Sequence, residues 1–91
     1  MMEKQYNIIS STGFARAARI LVGVSTNYLS NLVLEYKGMS VELNYSPETI
    51  MDIMSLEIRP GAPFNIRAEG TDELQALQNI EDQFSKMKLI H

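Results

Sequence analysis

The chain has 91 residues, of which 45% are hydrophobic and 21% are charged, and this composition predicts a single folded domain spanning residues 1–91. The absence of cysteine excludes disulfides, thiolate metal sites and thiol nucleophiles. The formal net charge of −3, with lysine and arginine scattered along the chain, argues against nucleic acid as the main partner.

The sequence contains no apolar run of the roughly 20 residues that a membrane span requires. It also lacks a basic start followed by an apolar stretch, which is typical of a signal peptide. We therefore expect a cytoplasmic protein without membrane contact. Because no cluster of metal ligands, glycine-rich phosphate loop or pair of catalytic carboxylates is recognisable, we predict no metal site and no cofactor.

The first third of the chain predicts a strand followed by a helix. Residues 4–10 place Tyr6 and Ile8 on one face, with the two-residue period of a strand. A polar turn at residues 10–13 follows and ends in a flexible glycine. Over residues 15–29, apolar residues recur with the period of a helical face at Ala18, Leu21, Val22 and Leu29, with Ser25 on the same stripe.

The middle of the chain predicts a hairpin and a short helix. The β-rich runs 32–37 and 40–44 are separated by Lys37-Gly38, which is a hairpin signal. Ser46-Pro47-Glu48 is typical of a helix start, since serine caps, proline fits the first helical position and glutamate complements the positive helix end. The helix is expected from Pro47 to about Leu56, with Ile50, Met51, Ile53 and Met54 as its apolar residues.

The last third predicts a strand and a long helix. After a break at residues 59–63, Phe64, Ile66 and Ala68 alternate with polar residues, which indicates a half-buried strand with one wet face. Thr71 is the predicted cap of the helix. Its apolar stripe repeats every three or four residues at Leu74, Leu77, Ile80, Phe84 and Met87.

The predicted order is therefore β-α-β-β-α-β-α, an α+β fold. Each sheet face and each helix stripe must find an apolar partner. The simplest arrangement is one four-stranded antiparallel sheet with three helices on one face. The opposite face of the sheet then remains in contact with water.

Three segments of the chain resemble the HPr family, the small phosphocarrier proteins of the bacterial phosphoenolpyruvate:sugar phosphotransferase system. These segments are residues 11–22 (STGFARAARILV), 34–43 (LEYKGMSVEL) and 49–56 (TIMDIMSL). Residues 68–73 (AEGTDE) are also similar to the segment that precedes the family's last helix. The resemblance covers almost the whole chain in the same order, and it implies an open-faced β-sandwich, in agreement with the fold expected from the pattern.

The chain departs from the family where phosphate is carried. The family motif has a histidine at the start of its first helix, whose imidazole accepts the phosphoryl group. Here the motif aligns best with that histidine deleted between Phe14 and Ala15, while an ungapped alignment puts Ala15 in its place. The motif proline is Ala17, and about four residues are inserted around 45–48. The one histidine of the chain, His91, is its last residue, so we expect no phosphotransfer through histidine.

The resemblance also implies candidate sites. Arg16 matches the family arginine that steadies the phosphate. Because the first N–H groups of a helix have no intrahelical acceptor, we expect a weak anion-binding site at Gly13, Ala15 and Arg16. Thr49 aligns with the serine that HPr kinase phosphorylates in relatives, so it is a candidate for regulatory phosphorylation. Ser46 is a second candidate hydroxyl.

The apolar residues of the predicted second helix match the patch through which HPr meets its partners. This helix is too short to bury all of them, and exposed methionines adapt to several surfaces. We therefore expect a partner-binding surface formed by Phe14, Arg16, Ala17, Ile50, Met51 and Met54.

These features favour a non-catalytic regulatory or adaptor protein, not an enzyme, similar to the histidine-less HPr relatives of bacilli that act in catabolite repression. By resemblance its partners are phosphotransferase-system enzymes, HPr kinase or a transcriptional regulator, and it is a monomer or weak dimer. Two alternatives remain open. One is a phosphocarrier in sugar transport whose acceptor has moved to His91 or to the hydroxyls of Ser10, Ser11 and Thr12. The other is an HPr-fold interaction module outside sugar transport.

Overall fold

The computed structural model describes residues 1–9 and 13–90, and within them the fold has four strands and three helices. The strands are β1 (Met2–Asn7), β2 (Asn31–Tyr36), β3 (Met39–Glu42) and β4 (Pro63–Glu69). The helices are α1 (Ala15–Ser25), α2 (Pro47–Ser55) and α3 (Glu73–Lys86). This order confirms the α+β fold predicted from the pattern. None of the helices in these residues combines the length and hydropathy needed to cross a bilayer.

The four strands form one antiparallel sheet in the order β1-β4-β2-β3. The register places Ile66 of β4 opposite Lys4 of β1 and Leu34 of β2, and Leu34 in turn opposite Val41 of β3. Strands β1 and β3 are therefore the edges. All three helices pack against one face, on which β2 buries Leu32, Leu34 and Tyr36.

The centre of the core is a group of aromatic rings. The ring of Phe64 lies 5.0 Å from that of Phe14 and the ring of Tyr6 lies 5.5 Å from that of Phe84, both edge to face. Helix α3 covers this group with Leu77 and Ile80, in addition to Phe84. Each large side chain buried here contributes about 1.5–3 kcal/mol. The aromatic contacts join α1, α3 and both halves of the chain to the sheet.

The opposite face of the sheet is open and acidic. Because side chains alternate along a strand, the charged residues that the described strands place on this face are Glu3, Glu35, Glu42, Glu69 and Arg67. Arg67 Nη1 lies 3.2 Å from Glu35 Oε2. The described strands thus place four carboxylates and one guanidinium on this surface, which we call the open face.

The start of α3 differs from the prediction. The residue before the helix is Asp72, not Thr71, and its side chain makes no cap hydrogen bond to α3. Instead its carboxylate accepts hydrogen bonds from the N–H groups of Leu29 and Ser30, at 2.8 and 2.9 Å, and from the Ser30 hydroxyl. Gly70 makes this approach possible, because a Cβ there would lie 2.6 Å from Ser30 Oγ. The prediction of Thr71 as the cap is wrong because Asp72 joins α3 to the α1–β2 loop.

Helix α1 is shorter than predicted. It ends at Ser25, where the Ser25 hydroxyl donates to the carbonyl of Val22 and the Thr26 hydroxyl donates to that of Gly23. These side chains satisfy carbonyl groups that the next helical turn would otherwise bind. Leu29, predicted on the buried stripe, is 87% exposed in the following loop. The two ends of the predicted α3 stripe, Leu74 and Met87, are exposed as well.

Candidate functional site

The start of α1 is formed by backbone groups. The residue before the helix is Phe14, and its carbonyl accepts the first helical hydrogen bond, from the N–H of Ala18 at 2.9 Å. The N–H groups of Ala15, Arg16 and Ala17 precede that bond, so they have no acceptor within the helix. The side chain of Arg16 is exposed beside them. The predicted anion-binding residues therefore adjoin one another, and the described residues contain no cluster of three or more potential metal ligands.

Two residues predicted on the partner-binding surface belong to the core instead. Phe14 is 4% exposed, and its ring stands edge to face on Phe64. Ala17 is 1% exposed and lies on the side of α1 that also buries Ala18 and Leu21. The prediction of Phe14 and Ala17 as contact residues is wrong, because the aromatic ring fills a space in the core and Ala17 faces the same way.

The start of α2 confirms the predicted cap. The Ser46 hydroxyl oxygen accepts from the N–H of Glu48 at 3.2 Å and donates to its carboxylate at 2.8 Å. Pro47 is the first helical residue, where its missing N–H costs nothing. The inserted segment therefore provides α2 with a complete start.

Thr49, the candidate for phosphorylation, is buried. Only 4% of the residue is exposed, and its hydroxyl donates to Asn44 Oδ1 at 2.6 Å. Its backbone N–H also bonds to the carbonyl of Ser46, at 3.1 Å. A kinase therefore reaches the Thr49 hydroxyl only after the first turn of α2 opens. The Ser46 hydroxyl, by contrast, is partly exposed.

The expected exposure of the methionines on α2 is confirmed. Met51 is 70% exposed and Met54 is 42% exposed, while Ile53 between them is fully buried. Ile50 is half-buried, and with Val22 and the inserted segment it lines an apolar cavity of about 240 Å³. Sequence reasoning therefore identified the exposed residues of this helix correctly.

A cleft of about 290 Å³ joins the start of α1 to the end of α2. Its lining includes Gly13, Phe14 and Met54, together with one carboxylate and one guanidinium, those of Glu57 and Arg59. Gly13 has a φ of +94°, which suits a glycine at this turn into the helix. Arg59 was missed by sequence reasoning, because it lies in a Pro-Gly break that was interpreted only as a turn. Its position three residues after the 49–56 segment was the available signal.

We use the name docking face for the residues predicted to bind partners that are not in the core, together with Arg59: Arg16, Ile50, Met51, Met54 and Arg59. It combines two exposed thioether side chains with two guanidinium groups, of which that of Arg16 belongs to the helical turn with the unbonded amides. The alternative phosphate acceptors, His91 and the hydroxyls of residues 10–12, lie outside the described residues. The docking face therefore carries apolar and cationic groups suited to binding.

Comparison with known families identifies one match over nearly the whole chain. The model of the family described as "PTS HPr component phosphorylation site" matches residues 2–86. The match includes the start of α1, where this chain has Ala15 and Arg16 but no histidine.

Solved structures of carriers and of a regulator share the fold. The histidine-containing phosphocarrier protein of Mycoplasma is 26% identical with a TM-score of 0.84, covering 99% of both chains. The phosphocarrier protein HPr of Bacillus anthracis is 30% identical with a TM-score of 0.71, covering 87% of this chain and 90% of that one. Crh, the Bacillus subtilis catabolite repression containing protein, is 29% identical with a TM-score of 0.60, covering 90% and 95%, and it forms a domain-swapped, intertwined dimer.

Proteins of this family interact with other proteins of the phosphotransferase system, and they are phosphocarriers, not enzymes. The family model spans residues 2–86 of 91 and the sheet order and helix placement agree with its solved structures. The chain belongs to the HPr family.

Proposed function

We propose that this protein is a non-catalytic regulatory or adaptor member of the HPr family, which binds partner proteins through the docking face. The observation that carries the proposal is the pairing of exposed Met51 and Met54 with a helix start whose own residues, 14–18, include no histidine. We propose a cytoplasmic setting, and as partners enzymes of the phosphotransferase system, HPr kinase or a transcriptional regulator. The likeness to Crh supports a role in catabolite repression.

The energetics of the methionines favour binding. Burying a methionine side chain fully contributes about 1.5–3 kcal/mol, and Met51 and Met54 leave much of that gain unused in the free protein. Their flexible thioethers also fit surfaces of different shapes. A partner that covers both side chains therefore gains affinity without any rearrangement of α2.

The cationic groups of the docking face select acidic partners. Arg16 lies beside the unbonded N–H groups of Ala15 and of its own backbone, and Arg59 lines the same cleft as Gly13, together with Glu57. We propose that a carboxylate or phosphate of the partner binds weakly here, as an anion does at other helix starts. This contact adds orientation to the apolar contact made by the methionines.

Phosphoryl transfer distinguishes an adaptor from a carrier. Incubation with labelled phosphoenolpyruvate and the upstream enzyme of the system, together with an authentic HPr as the positive control, should leave this protein unlabelled. Labelling would refute the proposal. Acid-labile phosphate on His91, or acid-stable phosphate on a hydroxyl of residues 10–12, would then identify the carrier with a relocated acceptor.

The docking face is tested by substitution. The protein is immobilised, exposed to native cell extract, and compared with Met51→Glu and with Leu74→Glu. Leu74 is a matched control, because it is an exposed apolar residue on α3, away from the docking face. The same partner should bind the unmodified protein and Leu74→Glu, but not Met51→Glu. Equal binding by all three proteins would contradict the proposed surface.

A further inference from the structure

The outer edge of the sheet presents unpaired backbone groups at β3. The N–H of Leu43 donates to the carbonyl of Leu32 at 2.8 Å, so residues 32 and 43 are a hydrogen-bonded pair. Such pairs alternate along antiparallel strands. The N–H and C=O groups of Ser40 and Glu42 therefore point away from β2. In the part of the chain that the structure describes, no strand pairs with this edge.

A groove runs along that edge, between β3 and α2. It has a volume of about 590 Å³, and its lining includes Ser40, Glu42, Asp52 and Ser55. Among the described residues that line it, two are carboxylates and none is basic. We call this feature the edge groove. It combines a row of hydrogen-bonding backbone groups with a negative charge.

We propose that the edge groove binds an extended, basic segment of a partner protein, which adds to the sheet as a fifth strand beside β3. The outward groups of Ser40 and Glu42 supply two donors and two acceptors for such a strand. Successive side chains of the added strand point to opposite faces of the sheet. A lysine or arginine on one face therefore meets Asp52, and the next residue meets Glu42 on the open face.

The charge disfavours a second copy of this chain as the occupant. Two copies paired through β3 would bring together Glu42 and Asp52 from each, which places four carboxylates at one junction. Like charges directly opposite each other across strands are destabilising. A basic segment meets the same carboxylates with opposite charge, so the electrostatics favour a different protein.

The edge groove is distinct from the docking face. Asp52 and Met54 are two residues apart on α2, which separates them by about 200° around the helix. Met51 and Met54 line the outer flank, and Thr49, Asp52 and Leu56 line the flank beside β3. One partner could therefore occupy each surface, and substitutions on one flank should spare the other.

The experiment is a titration of the full-length ¹⁵N-labelled protein with a capped six-residue peptide of alternating valine and lysine. The amide signals of Ser40 and Glu42 should shift most, and binding should weaken as salt is added. A peptide of alternating valine and glutamate should not bind. The valine–lysine peptide methylated on every backbone nitrogen, which has no N–H group left to donate to the edge, should not bind either.

Four variants locate the binding. Ser40→Pro removes an outward N–H and leaves the ladder to β2 intact, so peptide affinity should fall by at least about tenfold. Asp52→Asn should weaken binding about two- to fivefold through charge alone. Glu3→Gln makes the same charge change on the open face at β1, the opposite edge of the sheet from β3, and should have no effect. Met51→Ala, which changes no charge, should bind the peptide normally, so this result is separable from the test of the docking face.

Several outcomes would overturn the proposal. One is the absence of shifts at β3 at millimolar peptide, and another is equal binding of the valine–glutamate peptide. Shifts confined to Met51 and Met54 would place the peptide on the docking face instead. Sedimentation showing a dimer that Ser40→Pro abolishes would assign the edge to a second copy of the chain.

Discussion

Asp72 holds Ser30 by two hydrogen bonds, one from the serine N–H at 2.9 Å and one from its hydroxyl. A third bond, from the N–H of Leu29 at 2.8 Å, joins the same carboxylate. The pKa of Asp72 lies below the ordinary aspartate range. The hydrogen bond from the Ser30 hydroxyl is the largest cause, and the hydrogen bond from the Leu29 amide is the next. This carboxylate fastens the α1–β2 loop to the start of α3.

The first prediction concerns the stability of the fold at acidic pH. Because the pKa of Asp72 is lower in the folded protein than in the unfolded chain, its stabilisation is fully present above about pH 4 and is lost as pH falls through the folded pKa. Asp72→Ala should therefore be less stable than the unmodified protein at pH 7, and the difference should shrink below pH 4. Urea unfolding at both pH values measures it. Asp82→Ala, on the exposed side of α3, is the control, and a deficit independent of pH would contradict the assignment.

The second prediction compares two glycines. A Cβ at Gly70 would lie 2.7 Å from Ser30 Cα, and the residue has a φ of +155°. Gly70→Ala should therefore lower the free energy of unfolding by about 2–3 kcal/mol through overpacking. Gly23, in the last turn of α1, has open space around it, so Gly23→Ala should raise it by about 0.5–1 kcal/mol. Denaturant unfolding measures both, and equal effects would be inconsistent with the contact at Ser30.

The third prediction concerns a buried hydroxyl. Among the described residues, the Tyr6 hydroxyl has no hydrogen-bond partner. Burial, with a smaller effect of Glu81, raises the pKa of Tyr6 to about 12. Tyr6→Phe keeps the ring packed on Phe84 and removes the unpaired group, so the free energy of unfolding should rise by about 1 kcal/mol.

The same residue gives a dependence on alkaline pH. The unfolded tyrosine ionises near pH 10, whereas the folded one ionises at about 12. The ionisation of Tyr6 therefore does not affect the free energy of unfolding below pH 10, and it lowers that free energy as pH rises from 10 to 12. Stability of the unmodified protein should fall faster over that range than stability of Tyr6→Phe. Parallel pH profiles would show that Tyr6 is not the group responsible.

The fourth prediction separates the core from the docking face. Phe14→Ala should lower the free energy of unfolding by about 3–4 kcal/mol, because it leaves a space against Phe64. Met51→Ala, at a residue 70% exposed, should change it by less than about 0.5 kcal/mol while weakening partner binding. Thermal unfolding and the binding assay together measure the two effects. If the Phe14→Ala protein folds stably but no longer binds the partner, Phe14 contacts the partner, as first predicted from the sequence.

The fifth prediction concerns the first turn of α2. Thr49→Asp buries a charge and breaks the hydrogen bond to Asn44, so it should lower the free energy of unfolding by about 3 kcal/mol. Ser46→Asn should change it by less than about 0.5 kcal/mol, because asparagine caps helices as well as serine does and its amide can still donate to the Glu48 carboxylate. Circular dichroism and denaturant unfolding compare the two proteins. A Thr49→Asp protein as stable as the original would mean that Thr49 can accept phosphate without opening α2.

The features predicted well from the sequence are those that neighbouring residues determine. The order of strands and helices follows from local periodicity, and the cap at Ser46 acts within two residues of itself. The exposure of Met51 and Met54 follows from the length of α2. A helix of nine residues buries only one side, so it cannot bury all four of its apolar residues. Local pattern therefore gave both the fold and the apolar half of the docking face.

The features missed depend on contacts between distant residues. Asp72 was available as a cap by local rules, but it bonds instead to Ser30, 42 residues away. Phe14 precedes α1, where family resemblance suggested exposure, and its burial depends on Phe64, which no local period reveals. Arg59 joins the cleft only because the chain folds back after α2. Such pairs are determined by the assembled tertiary structure.

The open face affects how the molecule approaches its partners. Its four carboxylates and one arginine account for the whole formal charge of −3, so the charges elsewhere on the chain balance. This uneven distribution of charge gives the molecule an electric dipole. The open face repels an acidic partner, whereas Arg16 and Arg59 attract it. Collisions are then biased toward productive orientations, and the association rate constant, more than the lifetime of the complex, should decrease as ionic strength rises.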